Sequence, residues 1–132
     1  MMTDTELIRL AQQAREKAYS PYSGYTVGAA LLCADGTIYT GCNVENASYS
    51  ATCCAERVAL FEAVRDGHRA FSAIAVAGGR KGDAEASFFM PCGVCRQVMG
   101  EFCGKDFVVL VTDGKEIRRR TLEQLLPEAF EL

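Results

Sequence analysis

The sequence predicts an α/β fold, a three-layer αβα sandwich around a five-stranded mixed β-sheet. Two observations support this: segments of helical and strand periodicity alternate along the chain, and Asp35-Gly36 and Asp113-Gly114 each sit between two β-like runs as tight hairpin turns. No repeat, linker or low-complexity tract interrupts the 132 residues, so 1–132 is expected to form a single domain.

Thr3 and Glu6 have capping-box spacing, and Leu7, Leu10, Ala11, Ala14 and Ala18 recur at helical intervals, predicting a first helix that ends near Tyr19. The Ser, Pro and Gly of 20–24 close it. Runs 26–33 and 37–43 form the first hairpin, and the polar stretch 43–50 is expected to be a surface loop suited to recognition. A second helix is expected over 53–66, capped by Thr52, stopped by Gly67, and packed through Val58, Phe61 and Val64.

Residues 70–77 are dense in apolar side chains and predict a buried strand, followed by a loop over 78–87. Pro91 leads into a third helix at 93–103 with Gly104 as its stop. Strand 107–112 turns through Asp113-Gly114 into 116–120, and Thr121 and Gln124 box a short helix ended by Pro127. Because helices join them, the first, third and fourth strands are expected to run parallel.

Hydrophobic residues make up 49% of the chain, enough for a real core, and the formal net charge is −3. That balance argues against a surface built to neutralise a polynucleotide and favours a small, weakly charged substrate. Arg118-Arg119-Arg120 is the one cationic cluster, and on an edge strand it guards against edge pairing. Gly78-Gly79-Arg80-Lys81-Gly82 lacks the strand-to-helix context and the ending of a phosphate-binding loop. Residues 1–17 show no apolar core of a secretory leader, and no apolar run approaches the roughly 20 residues of a membrane span, so a cytoplasmic protein is expected.

The chain has seven cysteines, and where thiols stay reduced these point to metal ligation or burial rather than disulfides. Cys92-Gly93-Val94-Cys95 offers two thiolates; Cys54 offers a third, since its neighbour Cys53 cannot easily face the same metal. Three thiolates with a vacancy for water make a catalytic Zn²⁺ site, whereas a structural site would need Cys42, Cys53 or Cys103 as a fourth ligand. His68, just past Gly67, is read as solvated or helix-terminal. Three thiolates leave the metal group with one net negative charge, which hinders deprotonation of its water. Cys54 and Cys92 lie at predicted helix N-termini, each worth about half a positive charge, and Arg57 is the candidate to compensate the rest, with Arg96 behind it.

Cys54-Ala55-Glu56 followed by Pro91-Cys92-Gly93-Val94-Cys95 resembles the signature of zinc deaminases, in which a glutamate that is not a ligand serves as general acid and base. Ser20-Pro21-Tyr22-Ser23, Val27-Gly28-Ala29-Ala30, Asn43-Val44-Glu45-Asn46-Ala47, Arg96-Gln97, and Leu125-Leu126-Pro127 with Phe130 complete a resemblance to the small cytidine deaminase family from end to end. The resemblance implies hydrolytic deamination of free cytidine and deoxycytidine in pyrimidine salvage, with Cys54, Cys92 and Cys95 on zinc and Glu56 as proton shuttle. It implies that Asn43 and Glu45 bind the ribose 3′-hydroxyl, and that the backbone at Ala55 and the Glu56 carboxylate read the cytosine edge. Tyr25 stands beside the base where the family usually has Phe, and Ala47 belongs to the same substrate loop.

It further implies a homotetramer whose neighbouring subunits complete each pocket through Tyr49 and Phe130. The stretch 78–90, with Phe88-Phe89-Met90 leading into Pro91, is longer and more charged than the family's compact loop, which bears on either the pocket's edge or the subunit contact. Two other substrates remain: a base in RNA or DNA, and an antibiotic of the blasticidin type. The Asn43-to-Asn46 loop argues for a ribose.

Overall fold

In the computed structural model, which describes residues 2–132, the Glu6 amide donates to the Thr3 hydroxyl and the Thr3 amide donates to the Glu6 carboxylate. This box opens α1 (Asp4–Ala14), which buries Leu7, Ile8 and Ala11. The helix stops earlier than its periodicity suggests, passing into a 3-10 turn at Arg15–Lys17. Arg15 is buried, and a buried cation must sit where partners exist; its guanidinium reaches Thr26, Arg80 and Glu85.

The first hairpin pairs β1 (Tyr25–Cys33) with β2 (Ile38–Cys42), and Gly36 takes the positive φ of 92° that the turn requires. After α2 (Ala55–Arg65) come β3 (Phe71–Arg80), α3 (Gly93–Phe102), β4 (Val108–Thr112), β5 (Ile117–Thr121) and α4 (Leu122–Leu125). The five strands lie in the order β2-β1-β3-β4-β5. As expected, Thr121 and Gln124 box the last helix, and Arg118 to Arg120 lie on an edge strand.

One expectation is corrected: β1 and β3 are antiparallel, and only β3 and β4 pair in parallel. The crossover through α2 leaves from β2, the return arm of the hairpin, so β2 and β3 share a direction. β1, paired to both, therefore opposes both.

Strand alternation divides the core between two layers. Ala30, Ala75 and Leu110 face α1, while Ala29, Leu31, Ile74, Val76, Val109 and Val111 face α2 and α3. The face that α2 buries is also corrected: Ala55, Ala59, Leu60 and Ala63 pack inward, Val58 and Val64 are half-buried, and Phe61 is 46% exposed. A Cβ on Gly41 would stand 2.5 Å from the Ala55 carbonyl oxygen and 2.7 Å from the Ala59 amide nitrogen. The helix therefore rests on the bare backbone of β2, and at that distance alanine fits where valine and phenylalanine do not.

Cys54, rather than Thr52, is the N-cap of α2. At the far end of β3, Gly78 to Arg80 still pair with Val27 to Tyr25, so the loop expected from residue 78 begins at 81. Among the described residues no helix is long and apolar enough to cross a membrane.

Candidate metal centre and active site

Helices α2 and α3 begin at the same end of the sheet, and each begins with a cysteine. Cys54 is the N-cap of α2 and Cys92 that of α3, yet neither side chain caps its helix, which leaves both sulfurs available. Cys95 follows in the first turn of α3 and is buried. The three sulfurs lie within 4.8 Å of one another, with Cys54 and Cys92 at 3.8 Å. Tetrahedral zinc with bonds of about 2.3 Å sets its sulfurs about 3.8 Å apart, so the donor set fits that metal. Cys42, Cys53 and Cys103 stand outside the group. His68 is remote from it, close instead to Cys33 and Asp35.

Electrostatics at the sulfurs favour one anion, on Cys54. Hydrogen bonding from Cys95, supported by Arg57 and Cys92, lowers the Cys54 thiol from 9.0 to about 5 against its partial burial. The same bond, with burial, raises Cys95, so the pair holds one proton tightly. An Arg57 Nη donates to the Cys54 sulfur at 3.4 Å and to the Thr52 carbonyl at 3.3 Å, while its Nε is buried with no acceptor. A cation held this way offsets thiolate charge beside the two helix N-termini. Arg96 turns elsewhere: it donates to the carbonyls of Pro91 and Leu125 and joins α3 to the C-terminal segment.

A cavity of about 450 Å³ opens over Cys54 and Cys92. Ala55 and Glu56 line its floor, and Glu56 is 5% exposed. Burial raises the Glu56 carboxyl from 4.5 to about 7, with the charge on Cys54 adding to the effect and Arg57 opposing it. Asn43 and Glu45 line another wall. The Asn43 amide accepts from the Val27 N–H and donates to the Tyr25 carbonyl, which fixes its orientation. Glu45 accepts from the amides of Tyr22 and Ser23 and from the Ser23 hydroxyl; that hydroxyl bond chiefly holds its pKa below the ordinary value.

The family model for the cytidine and deoxycytidylate deaminase zinc-binding region matches residues 1–111. The chain belongs to this family. A cytidine deaminase of Sporosarcina psychrophila is 52% identical over 126 residues, covering 95% of this chain and 89% of that protein. A crystal structure of cytidine deaminase from Burkholderia pseudomallei superposes with a TM-score of 0.89 at 48% identity, covering 98% of this chain and all of that one. Further off, a blasticidin-S deaminase of Bacillus cereus is 30% identical over 127 residues, 94% of this chain and 89% of that protein.

Within this deaminase fold, the structure brings together Tyr25, Asn43, Glu45, Cys54, Ala55, Glu56 and Cys92 around one cavity. Tyr25 lies 5.9 Å from the Phe89 ring, centroid to centroid, and its hydroxyl makes no hydrogen bond among the described residues. Ala47, Tyr49 and Phe130 do not line the cavity of their own chain. Tyr49 is 75% exposed in an adjoining cleft of about 370 Å³, edge-on to Tyr22, and Phe130 is 71% exposed. Phe89 and Met90 form a wall of the cavity, the first of the two roles, pocket edge or subunit contact, that the sequence left open for this stretch. The available signal was an apolar triplet, Phe88-Phe89-Met90, closing an otherwise polar loop just before Cys92.

Proposed function

We propose that this chain hydrolyses the exocyclic amine of free cytidine and deoxycytidine, releasing ammonia and leaving uridine or deoxyuridine, a reaction of pyrimidine salvage. The observation that carries the reading is a buried Glu56 carboxylate, titrating near neutrality, on the floor of a cavity that opens onto the grouped cysteines. Cys54, Cys92 and Cys95 are assigned as ligands of one Zn²⁺, and Arg57 as the cation that balances their charge. Bound there, zinc supplies the Lewis acidity that makes water a competent nucleophile at neutral pH.

Glu56 takes a proton from the attacking water and gives one to ring N3 as C4 becomes tetrahedral. It then takes the remaining proton from the new C4 hydroxyl and delivers it to the amine, so that C4 keeps the oxygen as a carbonyl and ammonia leaves. A carboxyl with a pKa near 7 serves both transfers, because neither protonation state is far from reach.

Asn43 and Glu45 are assigned to the ribose hydroxyl. Beyond its two backbone bonds, the Asn43 amide retains one N–H and one lone pair, and the ionised Glu45 is a fixed acceptor. Among the described residues, the cavity wall carries Glu45 and Glu56 with no lysine, arginine or histidine. A 5′-phosphate or a polynucleotide backbone would meet carboxylates there without a cation, which favours a free nucleoside. The exposure of Tyr49 and Phe130 supports a homotetramer in which each fills a neighbour's pocket.

Turnover is read from the ultraviolet absorbance lost as cytidine becomes uridine, alongside deoxycytidine, deoxycytidylate, blasticidin S and a cytosine oligonucleotide. Cytidine and deoxycytidine are the expected substrates. Glu56→Gln is expected to retain zinc and lose about a thousandfold in kcat. Near-normal activity in that variant, or preference for any of the other three compounds, would sink the assignment.

A further inference from the structure

Between β3 and α3, residues 81–87 form neither helix nor strand, and six of the seven are exposed while Glu85 is half-buried. Its carboxylate is bonded to Arg15 at 2.5 Å and to Gln12 at 2.6 Å, and the two side chains of the ion pair are 7% and 9% exposed. The remaining donors of Arg15 reach the Thr26 hydroxyl and the Arg80 carbonyl, each at 3.1 Å. One guanidinium thus ties together β1, the end of β3 and the loop. On its other side the loop backbone presses on the β4–β5 turn: a Cβ on Gly114 would stand 2.7 Å from the Glu85 carbonyl oxygen.

The pinning continues along the chain. Arg118 lies over the Phe88 ring, 4.0 Å from its centroid. The next residue, Phe89, lays its ring where a Cβ on Gly78 would come within 2.5 Å, and with Met90 it walls the cavity that holds Glu56. A buried ion pair loses much of its attraction to desolvation, so the fold alone gives little reason to place one under a polar loop. Fixing that loop's path gives a reason.

We propose that Glu85, held by Arg15 and Gln12, is a positioning residue that sets the Phe89–Met90 wall of the substrate cavity. The proposal rests on the nucleoside-binding reading of that cavity. Glu85 touches no reacting atom, so its effect falls on substrate binding through the wall and not on proton transfer.

Glu85→Ala and the gentler Glu85→Gln are compared with the parent for kcat, KM for cytidine, zinc content, and the rate of trypsin cleavage after Arg80 and Lys81. For Glu85→Ala we expect KM to rise about tenfold with kcat within about twofold, zinc retained and cleavage several times faster; Glu85→Gln should fall between. Arg118→Gln, a surface change that spares the fold, should shift KM in the same direction by releasing Phe88. Combined with Phe89→Ala, Glu85→Ala should raise KM no further than the larger single effect, because both act through one wall. Multiplying effects, a fall in kcat at constant KM, or faster cleavage with an unmoved KM would each overturn the proposal. Should the parent fail to turn over cytidine, the substrate reading falls, and unchanged trypsin cleavage in Glu85→Ala would separately overturn the strap.

Discussion

Arg57 donates to the sulfur of Cys54 from one turn into the helix that Cys54 caps, 3.4 Å away, while its own Nε is buried without an acceptor. A buried guanidinium donor with nothing to receive it is costly unless negative charge lies nearby. The Cys54 sulfur is that charge, and Arg57 helps to keep it ionised.

Replacing Arg57 with Gln should therefore weaken zinc binding by about 10- to 100-fold, measured by competition with a chromogenic chelator. In the metal-free protein the Cys54 thiol should climb from about 5 toward the usual thiol range, read as slower alkylation at mildly acidic pH. Unchanged affinity together with unchanged alkylation would remove Arg57 from the centre.

Glu56→Gln should alter the stability of the metal-free protein in a pH-dependent way. The folded pKa of about 7 lies above the ordinary 4.5, so the folded state holds its proton longer than the unfolded state. Stability is thus lost as pH rises from 4.5 through 7 and stays lost above. At pH 8 the substitution should raise unfolding stability by about 3 kcal/mol, and near pH 4 by almost nothing, in urea titrations. A pH-independent difference would refute the burial argument.

Gly41→Ala tests the seat of α2, the helix that carries Glu56 and is capped by Cys54. Its new Cβ would meet Ala55 and Ala59 backbone atoms at 2.5 and 2.7 Å, so α2 must move off β2. Expected are about 3 kcal/mol of destabilisation by thermal or urea unfolding, and a fall in kcat as Cys54 and Glu56 move with the helix. Wild-type stability would mean that the close approach is not tight.

Cys92→Ala tests the metal centre with little risk to the core, because Cys92 is exposed. The variant should fold with an unchanged far-ultraviolet circular dichroism spectrum, hold far less zinc by elemental analysis, and lose turnover. Full zinc content would exclude Cys92 as a ligand.

Features governed by residues a few positions apart were legible from the chain. Thr3 with Glu6 and Thr121 with Gln124 close their boxes as their spacing indicates. Asp35-Gly36 makes its hairpin, and the three candidate zinc sulfurs converge because each lies in the first turn of a helix or at its cap. Less legible was anything set by a distant partner. The alternation of Val58, Phe61 and Val64 has the right period for a buried stripe, but the absent side chain of Gly41 on another element chose the face of Ala55 and Ala59 instead. Likewise the direction of β1 relative to β3 depends on which hairpin arm feeds the crossover.

The sequence by itself determined the order of helices and strands, two capping boxes and the hairpin turns, since these rest on backbone propensity and short-range hydrogen bonding, while the trio of thiols with an adjoining glutamate was legible from ligand chemistry and its resemblance to the deaminase signature. Tertiary structure alone decided that Glu56 would be buried enough to titrate near 7, that Arg96 would reach the Leu125 carbonyl, and that Phe89 would wall the cavity. Those outcomes depend on desolvation and on partners far apart in the chain, which only packing brings together, as it brings Arg15 to Glu85 across 70 residues.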